Sequence, residues 1–206
     1  MEAAGSRLGA PIYLRIFKRE RRLEVWARAE GAETYVPVRS YDICAMSGLL
    51  GPKERSGDRQ APEGLYSLRR RQMNPRSRYH LSIDLGYPNA YDRAHRRTGS
   101  ALMIHGRCVS AGCYAMTDPV IEELWTLIDA ALRGGQRALP AHAFPFRMTE
   151  SAMRGADHWP HRAFWQQLEP AYAAFERTRV PPRVRVRRGR YRVEAVEVRG
   201  PGAADH

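Results

Sequence analysis

Between residue 11 and Cys113 the apolar residues fall in short runs of strand length, cut by glycine, proline and charge, whereas helical spacing is confined to the chain after Cys113. Strands first and helices last restrict the chain to a mixed fold whose core is carried by sheet. Residues 12–17 and 23–27 flank the charged turn 18–22, the signature of a β-hairpin. Residues 35–38 and 40–45 continue as short strands, residues 65–68 and 79–84 follow, and residues 101–104 form a short run fit for a buried strand. Beyond Cys113, Asp118 is placed to cap a helix with Pro119 in its first turn, and Val120, Leu124, Leu127, Ile128 and Leu132 recur until Gly134-Gly135 stops it. Residues 158–177 predict a second helix with Phe164, Trp165, Leu168, Tyr172 and Phe175 on one face, kinked or divided at Pro170. Residues 184–198 read as two short strands turning at Gly189. The expected fold is α+β and mainly β, a β-sandwich or barrel-like sheet with helices after the Cys113 loop.

A chain of 206 residues is long enough for a sizeable core and short enough for one domain. Residues 1–10 read as a flexible N-terminal tail, 11–198 as the domain and 199–206 as a C-terminal tail. Residues 47–64, rich in glycine, proline and charge, form a loop too long to be mere connection. The formal net charge is +12, and all but two of the basic residues, Lys18 and Lys53, are arginines. Such a field favours anionic partners: nucleic acid, an acidic membrane surface or an anionic wall polymer. The sequence carries no RNP-type aromatic strand, finger spacing or recognition helix, so no nucleic-acid partner is expected. Its densest basic stretch, from Arg183 to Arg192, alternates arginine with valine or tyrosine. No apolar run approaches the roughly 20 residues that span a bilayer, and residues 1–10 show no signal-peptide h-region.

Chemistry concentrates between Met103 and Asp118, where His105 and Cys113 share one glycine-punctuated loop. A thiol is only a few per cent ionised at neutral pH, and a neighbouring imidazole or helix N-terminus lowers its pKa. Both aids are expected at Cys113, with His105 as the base. Gly112 permits a sharp turn that leaves the amides around Cys113 facing a substrate oxygen, the arrangement of an oxyanion hole. Two other readings stand beside this one. In the first, His105, Cys108, Cys113 and Cys44 supply four zinc ligands, although their spacing forms no CxxC pair. In the second, the chain is a non-catalytic basic module that binds cell wall or nucleic acid and carries an incidental thiol.

The ordered motifs resemble the YkuD-type L,D-transpeptidases, and within them the YafK branch of murein L,D-transpeptidase-like proteins. The resemblance rests on His105-Gly106, on Ser110-Ala111-Gly112-Cys113 and on the Tyr-Ala-Met-Thr-Asp run from Tyr114 to Asp118. It extends to the segments 47–53, 61–66, 86–92 and 97–100, and so covers the chain from about residue 10 to about residue 191. It implies that Cys113 attacks the diaminopimelate carbonyl of a peptidoglycan stem peptide and forms a thioester, with His105 accepting the thiol proton and no cofactor. An amine acceptor then gives a cross-link or a protein attachment, and water gives hydrolysis, including release of a wall-attached lipoprotein. The histidine is oriented by the Gly106 carbonyl, and Ser110, Gly112 and Tyr114 support the loop or the oxyanion site. Tyr87, Asn89 and Arg97 are candidates for the substrate groove, and Arg107 for a carboxylate of diaminopimelate. Two features depart from typical members: the histidine lies only eight residues before the cysteine, and Ala115 or Met116 stands where a basic residue is usual. The resemblance implies a periplasmic or envelope location with a removed leader. In that oxidising setting Cys44 and Cys108 are available to pair, which their spacing does not decide.

Overall fold

A computed structural model describes residues 1–196. Strand β1 (Ile12–Phe17) and β2 (Arg22–Arg28) form the expected hairpin, paired from Ile12 with Ala27 to Phe17 with Arg22. β3 (Tyr35–Asp42) adds antiparallel to β2 as one strand where two were expected. Pro37 is accommodated because β3 is an edge strand, and the register shifts beside it, between Val25 and Trp26. The chain continues through β4 (Gly64–Leu68), β5 (Met73–Ser77), β6 (His80–Asp84), helix α1 (Ala90–Ala94), β7 (Met103–His105) and β8 (Tyr114–Ala115). Next come α2 (Asp118–Arg133), β9 (Leu139–Phe144), α3 (Glu150–Arg154), α4 (Arg162–Thr178), β10 (Arg183–Arg187) and β11 (Arg190–Glu194).

These strands build a five-stranded sheet ordered β3-β2-β1-β9-β4, a four-stranded sheet ordered β5-β6-β7-β8 and the separate hairpin β10-β11. β1 is central and buried at all six positions, which explains its continuous apolar composition. Ile12, Leu14 and Ile16 join a core containing Ile83, Ile104 and Tyr114 of the second sheet and Ile121, Leu124 and Ile128 of α2. Phe17 belongs to the core on the other side, with Phe144, Trp165, Leu168, Tyr172 and Phe175. The expected sandwich-like, mainly β architecture is therefore present, with α4 as an outer layer.

Local differences have local causes. Asp118 does not cap α2 with its side chain: Thr117 is the N-cap residue, and Asp118 Oδ1 accepts from the Arg107 amide at 2.7 Å. Pro170 does not divide α4, because it lies on the exposed side, where the carbonyl it leaves unpaired meets solvent. Segment 1–10, read as a loose tail, packs in part against the domain, with Ser6 buried and its hydroxyl donating to the Arg28 carbonyl at 2.7 Å. The last strand ends at Glu194, and residues 197–206, including the expected C-terminal tail, lie outside the described residues.

Candidate active site

His105 ends β7, and Cys113 immediately precedes β8. The two strands pair in parallel, Ile104 with Tyr114 and His105 with Ala115. Extending that register by one residue sets Cys113 beside Met103, whose amide donates to the thiol sulfur at 3.5 Å. Residues two apart on a strand share a face, so Cys113 and His105 occupy neighbouring positions on one face of the sheet. The remaining hydrogen bond of the thiol goes to the Ala101 carbonyl at 3.6 Å.

The imidazole is fixed by its surroundings. His105 is buried, its Nδ1 lies 2.7 Å from the Gly106 carbonyl and its ring rests on Tyr79 with centroids 4.4 Å apart. A carbonyl can only accept, so Nδ1 carries the proton and Nε2 is the free base. The lack of a side chain at Gly106 is required: a Cβ there would lie 2.6 Å from Asp118 Oδ1 and 2.9 Å from the Tyr79 carbonyl.

Burial pushes the Cys113 thiol above its ordinary value of 9.0, with the Met103 amide opposing the rise, Asp84 adding to it and Lys53 lowering it. Burial likewise holds His105 below 6.5, against the Gly106 bond. The expected lowering of the thiol pKa is therefore corrected: desolvation outweighs the stabilising groups, and the pair rests as neutral thiol and neutral imidazole.

The expected oxyanion donors are corrected as well. Ser110 Oγ accepts from the Gly112 amide at 3.2 Å and the Cys113 amide at 2.9 Å, and donates to the Cys113 carbonyl at 2.7 Å. A hydroxyl three residues before the cysteine thus closes the turn on itself and occupies both amides. Gly112 does adopt the left-handed region, with φ 124°. Tyr114 is fully buried and donates to the Pro62 carbonyl at 2.8 Å, so it anchors the loop from within the core.

The remaining candidates stand elsewhere. Tyr87 donates to the Lys53 and Thr98 carbonyls, Asn89 caps α1, and both line an open cavity of about 1120 Å³ to which neither His105 nor Cys113 contributes. Arg97 is buried, paired with Asp92 at 2.9 Å and stacked over Phe164. These contacts tie the three residues into the fold around α1. Arg107 is exposed on the loop at φ 65°.

Cys44 and Cys108 form a disulfide, with Cα atoms 5.3 Å apart. It leaves Cys113 as the free thiol and consumes two of the four ligands required by the zinc reading. The bridge lies beside the pairing of Ala45 with Ala115, which joins the chain after β3 to β8.

Sequence reasoning missed the residues that organise loop 47–64. Lys18 Nζ donates to the carbonyls of Leu49, Gly51 and Ala61 and lies 3.1 Å from Glu63, which also accepts from Gly51 and from Trp165. Lys53 binds Asp58 and the Arg55 carbonyl. A signal was available in the rarity of lysine, for Lys18 and Lys53 are the only two in this arginine-rich chain, and both are buried. A compact ammonium with three rotatable donors suits a pocket of converging carbonyls, whereas a planar guanidinium does not.

The family model described as "L,D-transpeptidase catalytic domain" (YkuD) matches residues 11–180. The chain is 48% identical over 184 residues to the protein described as "Putative L,D-transpeptidase YafK" in Escherichia coli K12, covering 89% of this chain and 74% of that one. The same identity and coverage hold for the protein of that description in Escherichia coli O157:H7. Among solved structures, the helical cell shape determining protein Pgp2 from Campylobacter jejuni superposes with a TM-score of 0.52 at 18% identity, a likeness of fold alone. That match covers 84% of this chain and 65% of the Pgp2 chain, so the chain spans just under two thirds of that protein. With a family match over most of its length and a relative at near one-half identity, the chain belongs to the YkuD family of L,D-transpeptidase catalytic domains and is an enzyme of that family.

Proposed function

We propose that Cys113 is the nucleophile and His105 the base of an acyl transfer on peptidoglycan stem peptides at diaminopimelate. In this reading the Sγ proton passes to His105 Nε2 as sulfur attacks the diaminopimelate carbonyl carbon. The tetrahedral intermediate collapses by breaking the carbon–nitrogen bond, and the imidazolium returns its proton to the departing amine, leaving a thioester. An incoming amine then restores an amide and completes transpeptidation, or water gives the free acid and detaches wall-linked protein. The observation that carries the proposal is the β7–β8 pairing, which seats Cys113 on the face occupied by a histidine whose Nδ1 is locked by Gly106. Because thiol and imidazole rest neutral, ionisation is coupled to substrate arrival, and the oxyanion requires donors that Ser110 holds in the resting loop. This reading needs no cofactor and places the enzyme in the periplasm or envelope.

The test is intact-mass spectrometry of wild type and Cys113→Ala after incubation with a carbapenem and with diaminopimelate-containing muropeptides. Adducts or turnover lost in the variant support the proposal, and the products distinguish cross-linking from hydrolysis. Folded wild type that yields neither would overturn the assignment of Cys113 as the nucleophile.

A further inference from the structure

The arginine-rich stretch of the sequence forms a surface that the proposed chemistry does not use. In β10 and β11 the residues Val184, Val186, Tyr191 and Val193 pack toward the α4 core, while Arg183, Arg185, Arg187, Arg190 and Arg192 are exposed. The register sets Arg185 directly opposite Arg192 and Arg187 opposite Arg190. Like charges facing each other across a ladder destabilise it, and a two-stranded ribbon has no further strands to offset them. Arg183 alone is opposed by an acid, Glu194. Among the described residues, none of these five arginines has a salt-bridge partner.

A second element extends the surface. The hairpin turns at Arg188-Gly189, and Gly189 sits against the end of α1, with an ideal Cβ there 3.6 Å from His95 and 3.7 Å from Ala94. Exposed Arg93 and Arg96 flank that contact. Chain segments about ninety residues apart therefore bring their cations to one corner, while the nearby acid, Asp92, is buried and already paired with Arg97.

We propose that this corner docks the protein on the phosphate headgroups of an anionic lipid bilayer. The exposed face is a ribbon of guanidinium groups, spaced about 7 Å along each strand, and guanidinium forks bind phosphate oxygens with bidentate geometry. An array of fixed cations on an open ribbon matches a planar array of anions. No aromatic side chain is exposed on the hairpin to stack on unpaired bases, since Tyr191 is buried against Tyr91. Nor is any large apolar residue exposed there, so the attachment is peripheral, electrostatic and reversed by salt.

The experiment is co-sedimentation of the protein with vesicles of phosphatidylcholine alone or mixed with phosphatidylglycerol, at low and high salt. Wild type and Cys113→Ala should bind the mixed vesicles equally, release them at high salt and ignore phosphatidylcholine. At roughly fivefold per arginine near an anionic surface, R187Q/R190Q should weaken binding about 30-fold. The charge-matched control R76Q/R78Q, at the exposed end of β5 and in the turn that follows it, should change it far less. The hairpin variant should melt no lower than wild type, because it relieves a facing pair of like charges. Equal losses in both variants would assign any binding to net charge and overturn the proposal. So would a hairpin variant that melts below wild type, or wild type that ignores the mixed vesicles while binding isolated sacculi or duplex DNA through the same arginines.

Discussion

At the scale of single residues, the resting charge state of the site sets its response to pH. Raising the thiol above 9.0 and lowering the imidazole below 6.5 both favour the neutral pair over an ion pair. The alkylation rate of Cys113 by iodoacetamide should therefore climb continuously as pH passes 9.0, with no plateau near neutrality. A plateau there, read by intact mass, would mean a preformed thiolate–imidazolium pair and would sink this account. Turnover that depends on neutral His105 should persist on the acid side of 6.5. Gly106→Ala would force its Cβ against Asp118 and the Tyr79 carbonyl and displace the carbonyl that holds Nδ1. The expected outcome is a folded protein, about 1–3 kcal/mol less stable by chemical denaturation, with acylation of Cys113 slowed at least tenfold. The proposed pair, His105 and Cys113, stood out in the sequence because the two residues lie only eight positions apart. Their true partners did not: Met103 and Ala101 reach the sulfur through backbone groups, which carry no sequence signature. The two amides misread as free are taken by Ser110, which lies close enough in sequence for that turn to have been weighed.

At the scale of elements, loop 47–64 is ordered around two buried lysines, of which Lys18 meets three of its carbonyls. Lys18→Met keeps the stem of the side chain but leaves the Glu63 carboxylate buried without its cation and the Ala61 carbonyl without this donor, while the Leu49 and Gly51 carbonyls keep Gln60. Removing one partner of such a pair costs about 3–5 kcal/mol, and urea unfolding at neutral pH is the measurement. A loss under 1 kcal/mol would mean that water replaces the ammonium. The Cys44–Cys108 bridge closes a sequence separation of 64 residues. On loop-closure entropy alone its reduction costs about 4 kcal/mol, which a melting comparison with the Cys44→Ser/Cys108→Ser variant would reveal. Strand alternation and helix spacing made β1, β2, α2 and α4 readable. Helix α1 escaped notice because five residues offer too little periodicity, and its stability comes from the Asn89 cap and the burial of Tyr91. The pairing of Lys18 with Glu63 was likewise hidden, since 45 positions separate the two and only the assembled sheet brings them together.

For the whole molecule, acid sensitivity follows from a buried base. His142 lies wholly inside the fold against the Tyr13 hydroxyl, and burial, aided by Arg15, holds it down to about 3. The unfolded chain takes up this proton near 6.5 and the folded chain only near 3. Its stabilising contribution is therefore complete above 6.5 and is lost as pH falls through that window, by about 1.4 kcal/mol per unit. Urea midpoints measured across the window should show this slope, and His142→Gln, which keeps an acceptor for Tyr13, should flatten it. The sandwich of two sheets was legible as a class from the order of strands and helices. Its layering was not, because the parallel pairing of β1 with β9 joins segments more than 120 residues apart. The single free thiol has one more consequence, for how the protein matures. A chain with three cysteines must oxidise two and spare the third, and mispairing proceeds by attack of a thiolate on a disulfide. Once the strands close around Cys113, the desolvation that raises its thiol also keeps its thiolate scarce, so folding itself protects this sulfur from shuffling with its two neighbours.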